Sequence, residues 1–322
     1  MSEPTVTLAL VCHRHEAFVA DAVRSVLAQE GPPLDIVISD DASPDNTWAE
    51  IERAVDGYAG PHRVRLNRNA ENMGMNHYNR ILELAEGDII VIAHGDDVAL
   101  PNRARRLVET LQREKVSLVT SEAFVVDAAR KRAGLMVGDI DSARFEVEDL
   151  LRDGWQRNML GATMAWRRDV LAVFGGVERA ILPAGYDLPM VFRAALLDGA
   201  YFLAEPLLEW RRHDRNLSEQ LVDRGGSELV DLEGSAAHAV TVLMAMLYDL
   251  EKFRAINPER ADLIDMRTRL LRTLMKHLRN WIRRRNRLFI QGQRATWLDL
   301  DAWLERRPAG SRRIRARKPV QG

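Results

Sequence analysis

The chain reads Asp35-Ile36-Val37-Ile38-Ser39-Asp40-Asp41-Ala42-Ser43-Pro44-Asp45 and, further on, Asp88-Ile89-Ile90-Val91-Ile92-Ala93-His94-Gly95-Asp96-Asp97. Each stretch is a short apolar run, rich in Ile and Val, closed by a pair of carboxylates and turn residues. Runs of this length and composition predict strands buried on both faces. Residues 6–11, 64–67 and 117–126 predict three more. Between them, apolar residues recur at helical spacing over 17–29, 47–55, 75–85 and 102–113. Strands that alternate with helices predict a mainly parallel sheet flanked by helices, an α/β fold.

In open parallel sheets, ligands bind outside the carboxyl ends of the strands. The pairs Asp40-Asp41 and Asp96-Asp97 both follow strands, so both are expected at one edge. Adjacent carboxylates repel. A hard divalent cation neutralises them through its preference for oxygen ligands.

Farther along, glycines punctuate residues 127–218, a helix is predicted at 188–197, and short strands at 201–203 and 207–210. From 228 onward only helical patterns remain, over 228–255, 259–290 and 295–305. The second carries an apolar stripe through Leu270, Leu274, Leu278 and Trp281. Residues 1–218 are expected to form one α/β domain in two parts, about 1–102 and about 103–218. Residues 219–305 are expected to form a helical extension, and 306–322 a basic, disordered tail.

Composition narrows the class. The chain has 322 residues, 46% of them hydrophobic, and one cysteine, Cys12. A lone cysteine forms no disulfide framework and fits a reducing compartment. No secretory signal is expected at the start, and no uncharged apolar run approaches the roughly 20 residues of a membrane-spanning helix. The net charge of −1 conceals an asymmetry. Residues 267–322 hold 17 Lys/Arg against 3 Asp/Glu, a net +14, which leaves −15 on the rest. Such polarity predicts an anionic partner for the C-terminal end: phosphates, an anionic membrane surface, or the acidic part of the chain itself.

Four motifs, in order, resemble glycosyltransferase family 2. Leu10-Val11-Cys12-His13-Arg14-His15-Glu16 with Ser25-Val26-Leu27-Ala28-Gln29 is similar to the family's opening strand and helix. Ser39-Asp40-Asp41-Ala42-Ser43-Pro44-Asp45 resembles its Asp-Asp-Gly-Ser signature. Asn69-Ala70-Glu71-Asn72-Met73-Gly74 resembles its Asn-x-Gly loop, and Gly87-Asp88 through Asp97 its Asp-x-Asp segment. Two later stretches match more weakly: Gly185-Tyr186-Asp187, and Trp210-Arg211-Arg212-His213-Asp214-Arg215-Asn216. The likeness is strong over 5–102 and reaches to about 218. The chain departs from the family at His13 and Arg14, where Tyr and Asn are common. It departs again at His94, which stands in an acidic position and is therefore set aside as a metal ligand.

The resemblance implies a GT-A fold and an inverting, metal-dependent transfer from a nucleotide-sugar donor to a saccharide or lipid-linked saccharide. It implies that Val11 and Cys12 line the base, that Asp40 accepts a hydrogen bond from a pyrimidine, and that Asp96 faces the ribose. Arg68 and Asn72 are expected to face the nucleotide. Asp97 and His213 are the expected ligands of Mn²⁺ or Mg²⁺, and Asp187 the general base. UDP or dTDP is expected as the nucleotide, and surface polysaccharide as the product. The expected location is cytoplasmic, with attachment to the inner face of a membrane as one option. Trp155, Trp166 and Trp210 are candidates for stacking on sugar or for core packing. His62, His77 and His238 read as structural.

Two other readings compete. A sugar-phosphate nucleotidyltransferase would carry a Gly-rich loop after the first strand, where this chain has Cys12-His13-Arg14-His15. A non-catalytic protein that binds lipid or nucleic acid through the basic end leaves the aspartate pairs, Asp187 and His213 unexplained. No nucleic-acid signature accompanies the basic residues, so no nucleic-acid partner is expected.

Overall fold

The computed structural model describes residues 3–152, 161–176, 187–213, 216 and 228–290, with side chains left undescribed at 151–152, 228–238 and 284–290. The expected tail at 306–322, the helix at 295–305, Trp155 and Asp214 lie outside these residues.

Four parallel strands form one half of a single sheet: β1 (Val6–Cys12), β2 (Asp35–Asp40), β3 (Arg63–Arg68) and β4 (Ile89–His94), in the order β3-β2-β1-β4. Helices α1 (Val19–Leu27), α2 (Thr47–Val55) and α3 (Asn76–Leu84) make the crossovers. Along β1, Leu8, Leu10 and Cys12 enter the core on one face, and Ala9 and Val11 the core on the other. Burial on both faces explains why β1 and β4 read as unbroken apolar runs.

The second half is mixed. The short β5 (Val98–Ala99) leads into α4 (Arg103–Glu114) and the long β6 (Leu118–Val126). The hairpin strand β7 (Arg132–Leu135) follows, then β8 (Ala143–Phe145) and α5 (Val147–Arg152). Next come β9 (Met164–Arg167), α6 (Asp169–Phe174), α7 (Asp187–Leu196) and β10 (Ala200–Arg211). The sheet continues β4-β9-β6-β10-β5, with β9 antiparallel to both neighbours and β10 parallel to β6. Two expectations are corrected here. The two short strands near 201–210 are one strand, whose register against β6 shifts on either side of Pro206. Proline has no N–H to give the ladder, which is why the sequence reads as broken there. Strand β9 was not foreseen, because Met-Ala-Trp-Arg is too short to carry a period. Its Trp166 is 1% exposed in the core, which removes it as a sugar-stacking residue.

The chain ends, among the described residues, in two long helices, α8 (Glu228–Ile256) and α9 (Asp262–Ile290), close to the spans expected. They are not independent of the sheet. Val242, Met246, Leu250 and Phe253 of α8, with Leu263, Met266 and Leu270 of α9, share one core with β1, β4 and α7. A buried ion pair reinforces the joint: Arg193 Nε and Nη2 of α7 donate to Asp249 of α8 at 2.7 and 2.9 Å.

Candidate active site

Strand register brings the marked residues to one edge. Cys12 pairs with Asp40, Val11 with His94, and Asp40 with Arg68. The Val11 and Cys12 side chains are buried, and their carbonyls accept the Gly95 and Asp41 amides at 2.9 Å. These two residues therefore hold the turns after β4 and β2. Burial, then the carboxylates of Asp40 and Asp96, pushes the Cys12 thiol up.

Asp40 is fully buried. Its Oδ2 accepts the Ser43 amide at 3.1 Å, and its Oδ1 accepts the Ser43 hydroxyl. Arg68 Nε lies 3.5 Å from Oδ2, and the Arg68 guanidinium sits 5.6 Å from the centre of the Trp48 ring. Asp41 has a different part. Its carboxylate accepts Asn69 Nδ2 at 2.7 Å and the Met73 and Gly74 amides at 2.9 Å, which pins the loop that carries Asn72. Asn72 is exposed and donates to His13 Nε2 at 3.0 Å.

A second cluster forms around Asp96. His213 Nε2 and Asn216 Nδ2 each donate to Asp96 Oδ2 at 3.2 Å, and His15 Nε2 stands 3.7 Å from the same atom. Burial acts to raise this carboxyl, but His15, the His213 hydrogen bond and His94 outweigh it and hold Asp96 below the usual carboxylate range. Asp97 is turned inward, 3% exposed, and its Oδ1 accepts the Arg211 amide at 2.9 Å. Burial, and then Asp96, pushes it well up. The metal pair expected from sequence was Asp97 with His213. His213 Nε2 hydrogen-bonds Asp96, one residue away, and Asp97 has a donor atom within 4.8 Å of those of Asp96 and His94.

His213 is set by its neighbours. Its ring centre lies 4.6 Å from that of Phe18, and its amide donates to Asn216 Oδ1 at 2.5 Å. His94 meets the Tyr78 hydroxyl through Nε2 at 2.8 Å, and burial lowers it to about 4. Although the sequence set His94 aside as a metal ligand, one donor atom each from His94, Asp96 and Asp97 lie within 4.8 Å of one another, a grouping that could hold an ion. The ionised Asp96 carboxylate beside the neutral His94 imidazole suits a divalent cation, which requires deprotonated ligands.

Asp187 opens α7. Burial raises its carboxyl to about 6, against the opposing effect of a hydrogen bond from the Gly161 amide. A Cβ at residue 161 would collide with that carboxylate, so the close approach requires glycine. The same turn is tied to the aspartate edge by Arg103. This buried guanidinium donates to the Ile92 and Ala162 carbonyls, both at 2.6 Å, and burial lowers it to about 10. Arg103, Gly161, Tyr78 and His15 went unassigned in the sequence. A basic residue at a helix start and a glycine among many give no signal of a buried bridge. His62 and His77 are structural as read: His62 spans the Leu34 amide and the Gln29 carbonyl, and His77 meets Ser39 Oγ at 2.7 Å.

The profile described as Glycosyl transferase family 2 matches residues 7–174. A glucosyl-dolichyl phosphate glucuronosyltransferase of Haloferax volcanii is 27% identical over 175 residues, 51% of this chain and 52% of that one. Aligned segments cover 35%, 52% and 63% of three curated relatives, so this chain spans less than two thirds of their lengths. S. aureus TarS in complex with UDP-GlcNAc superimposes with a TM-score of 0.56 at 13% identity, over 86% of this chain and 80% of that one. The mannosyltransferase PcManGT of Pyrobaculum calidifontis, in complex with GDP-Man and Mn²⁺, gives 0.51 at 16% identity over 88% of each. At such identities the likeness speaks for the fold, which is of the GT-A type.

Proposed function

This chain belongs to glycosyl transferase family 2, and from that membership we propose that it moves a sugar from a nucleoside-diphosphate donor to a hydroxyl of a saccharide or lipid-linked saccharide, with inversion. The observation that carries this reading is the ionised Asp96 carboxylate with His213 Nε2 at 3.2 Å, at the carboxyl edge of the sheet. A divalent cation, Mn²⁺ or Mg²⁺, held by Asp96 and His213 with His94 alongside, would supply positive charge to the departing diphosphate. This reading moves the metal role from Asp97 to Asp96 and leaves Asp97 to anchor the Arg211 backbone.

Asp187 acts as the base. Its carboxylate takes the proton of the acceptor hydroxyl while that oxygen bonds to the anomeric carbon and the bond to the diphosphate oxygen breaks. Attack opposite the leaving group turns an α-linked donor into a β-linked product. A pKa near 6 leaves Asp187 mostly ionised at neutral pH yet basic enough to accept a proton. Asp40 serves the nucleotide. A carboxylate accepts at up to about four lone-pair sites, so the two Ser43 bonds leave capacity for a ring N–H. Because Asp40 has no exposed surface, a base reaches it as Ser43 or Arg68 shifts.

The region from 219 onward, and the basic residues of α9, serve attachment to an anionic surface that carries the acceptor. Donor hydrolysis tests the central reading. With UDP- and dTDP-sugars, hydrolysis should stop in EDTA and return with Mn²⁺ or Mg²⁺. Full activity in EDTA would remove the metal from the mechanism.

A further inference from the structure

The loop between β1 and α1 carries an imidazole that the family's motifs do not account for. His15 is held from two sides: its own amide donates to Thr47 Oγ1 at 2.8 Å, and the Arg14 amide donates to Ser43 Oγ at 2.9 Å. The ring then lies over the turn after β4. A Cβ at Gly95 would stand 2.5 Å from His15 Nδ1 and 2.9 Å from Cys12 Sγ, so only glycine lets the ring approach. With Nδ1 toward that turn, Nε2 points at Asp96 Oδ2, the oxygen that His213 Nε2 also meets. Two imidazole nitrogens, from residues far apart in the sequence, thus converge on one carboxylate oxygen at 3.7 and 3.2 Å.

We propose that His15 is a third protein ligand of the divalent cation, beside Asp96 and His213, and that this nitrogen-rich set selects first-row transition cations over Mg²⁺. The inference rests on the reading of Asp96 and His213 as the cation's holders. Its chemistry is general. Mg²⁺ takes oxygen ligands and gives up water reluctantly, whereas imidazole suits the later divalent metals. A site with one carboxylate and two imidazoles therefore favours Co²⁺ or Zn²⁺ over Mg²⁺ more strongly than a site of carboxylates alone. Simple ion pairing of His15 with Asp96 would require only a donor N–H at that place, not a lone pair.

The test is a Co²⁺ titration of the full chain, read by the visible absorption of the bound ion, with Mg²⁺ as competitor. The parent should bind Co²⁺ at concentrations where Mg²⁺ displaces it poorly. In His15→Ala the Co²⁺ affinity should fall at least about tenfold, as ligand-sphere changes do. The Co²⁺ band should shift and Mg²⁺ affinity should change by less than about twofold. His15→Gln keeps a hydrogen-bond donor for Asp96 without an imidazole, and also serves if the alanine variant fails to fold. Its Co²⁺ affinity should be as weak as that of His15→Ala. Parent-like affinity and spectrum in either folded variant would overturn the proposal. Asp96→Asn separates the two levels. If it too leaves Co²⁺ binding intact, the fault lies in the Asp96 and His213 site. If it abolishes binding while the His15 variants do not, only the His15 proposal falls.

Discussion

In the proposed mechanism, Asp187 is the residue where chemistry and stability make opposite demands. Its carboxyl is raised to about 6, chiefly by burial, so ionisation is disfavoured in the fold. A raised folded value means that its contribution to stability is greatest at low pH and is lost as pH rises through about 6. Asp187→Asn keeps the size and the acceptor for the Gly161 amide while removing that penalty. The variant should therefore melt no lower than the parent at pH 7.5, yet transfer about 10²-fold more slowly or worse, with donor binding nearly intact. In the parent, turnover should fall as pH drops through about 6, because the base works ionised. Normal turnover in Asp187→Asn would move the base elsewhere. A second residue-scale prediction concerns Asp40. UDP or dTDP, each with a ring N3–H, should bind better than CDP, whose N3 is an acceptor and would face the carboxylate unpaired. Tighter CDP binding in a thermal-shift comparison would end that assignment. The sequence made Asp40, Asp96, Asp187 and His213 legible because each sits in a motif or at an element's end. It did not reveal which of two adjacent carboxylates turns outward. That depends on the Arg211 amide, 114 positions away, which takes Asp97 inward.

At the scale of elements, what could be read from sequence depended on length and on which contacts carry the pattern. β1, β2 and β4 announce themselves because both faces are buried. β9 has four residues and draws its order from its neighbours, and β10 hides its continuity behind Pro206. The joint between α7 and α8 was likewise invisible, since nothing marks Arg193 as the partner of Asp249 across 56 positions. Both side chains are 2% exposed. Removing one partner of such a pair strands the other's charge and typically costs about 3–5 kcal/mol. Asp249→Leu should therefore lower the urea midpoint sharply, whereas Arg193→Met with Asp249→Leu should recover much of the loss. If the single variant loses under about 1 kcal/mol, the joint is looser than the burial implies. The shared core makes a further demand on this experiment. Fluorescence and circular dichroism should report one coincident transition, because α8 and α9 have no separate core among the described residues.

Across the whole molecule the dominant feature is charge separation, with +14 over residues 267–322 and −15 over the remainder. The described part of α9 gives this a geometry. Arg272, Lys276, Arg279 and Arg283 are exposed and recur every three or four residues, which puts them on one stripe. Met275 and Ile282, 47% and 48% exposed, flank it. Arg267 and Arg269 pair with Glu251 and Glu148, but among the described residues no ion pair forms to the four of the stripe. No acidic residue follows Asp265 within the helix to neutralise them. A basic stripe beside exposed apolar side chains suits the surface of an anionic bilayer, where each Lys or Arg contributes about 1 kcal/mol. No helix among the described residues is long and apolar enough to cross a membrane. Replacing all four basic residues by Gln should abolish co-sedimentation with vesicles of phosphatidylglycerol and phosphatidylcholine at low salt. Parent binding should need the anionic lipid and weaken as salt shortens the screening length. Donor hydrolysis should not change in the variant, because the stripe has no part in the chemistry at the sheet edge. If the parent stays in the supernatant with anionic vesicles at low salt, the stripe serves instead the acidic part of this chain or of a second copy. Self-association that falls as salt rises would then identify that use.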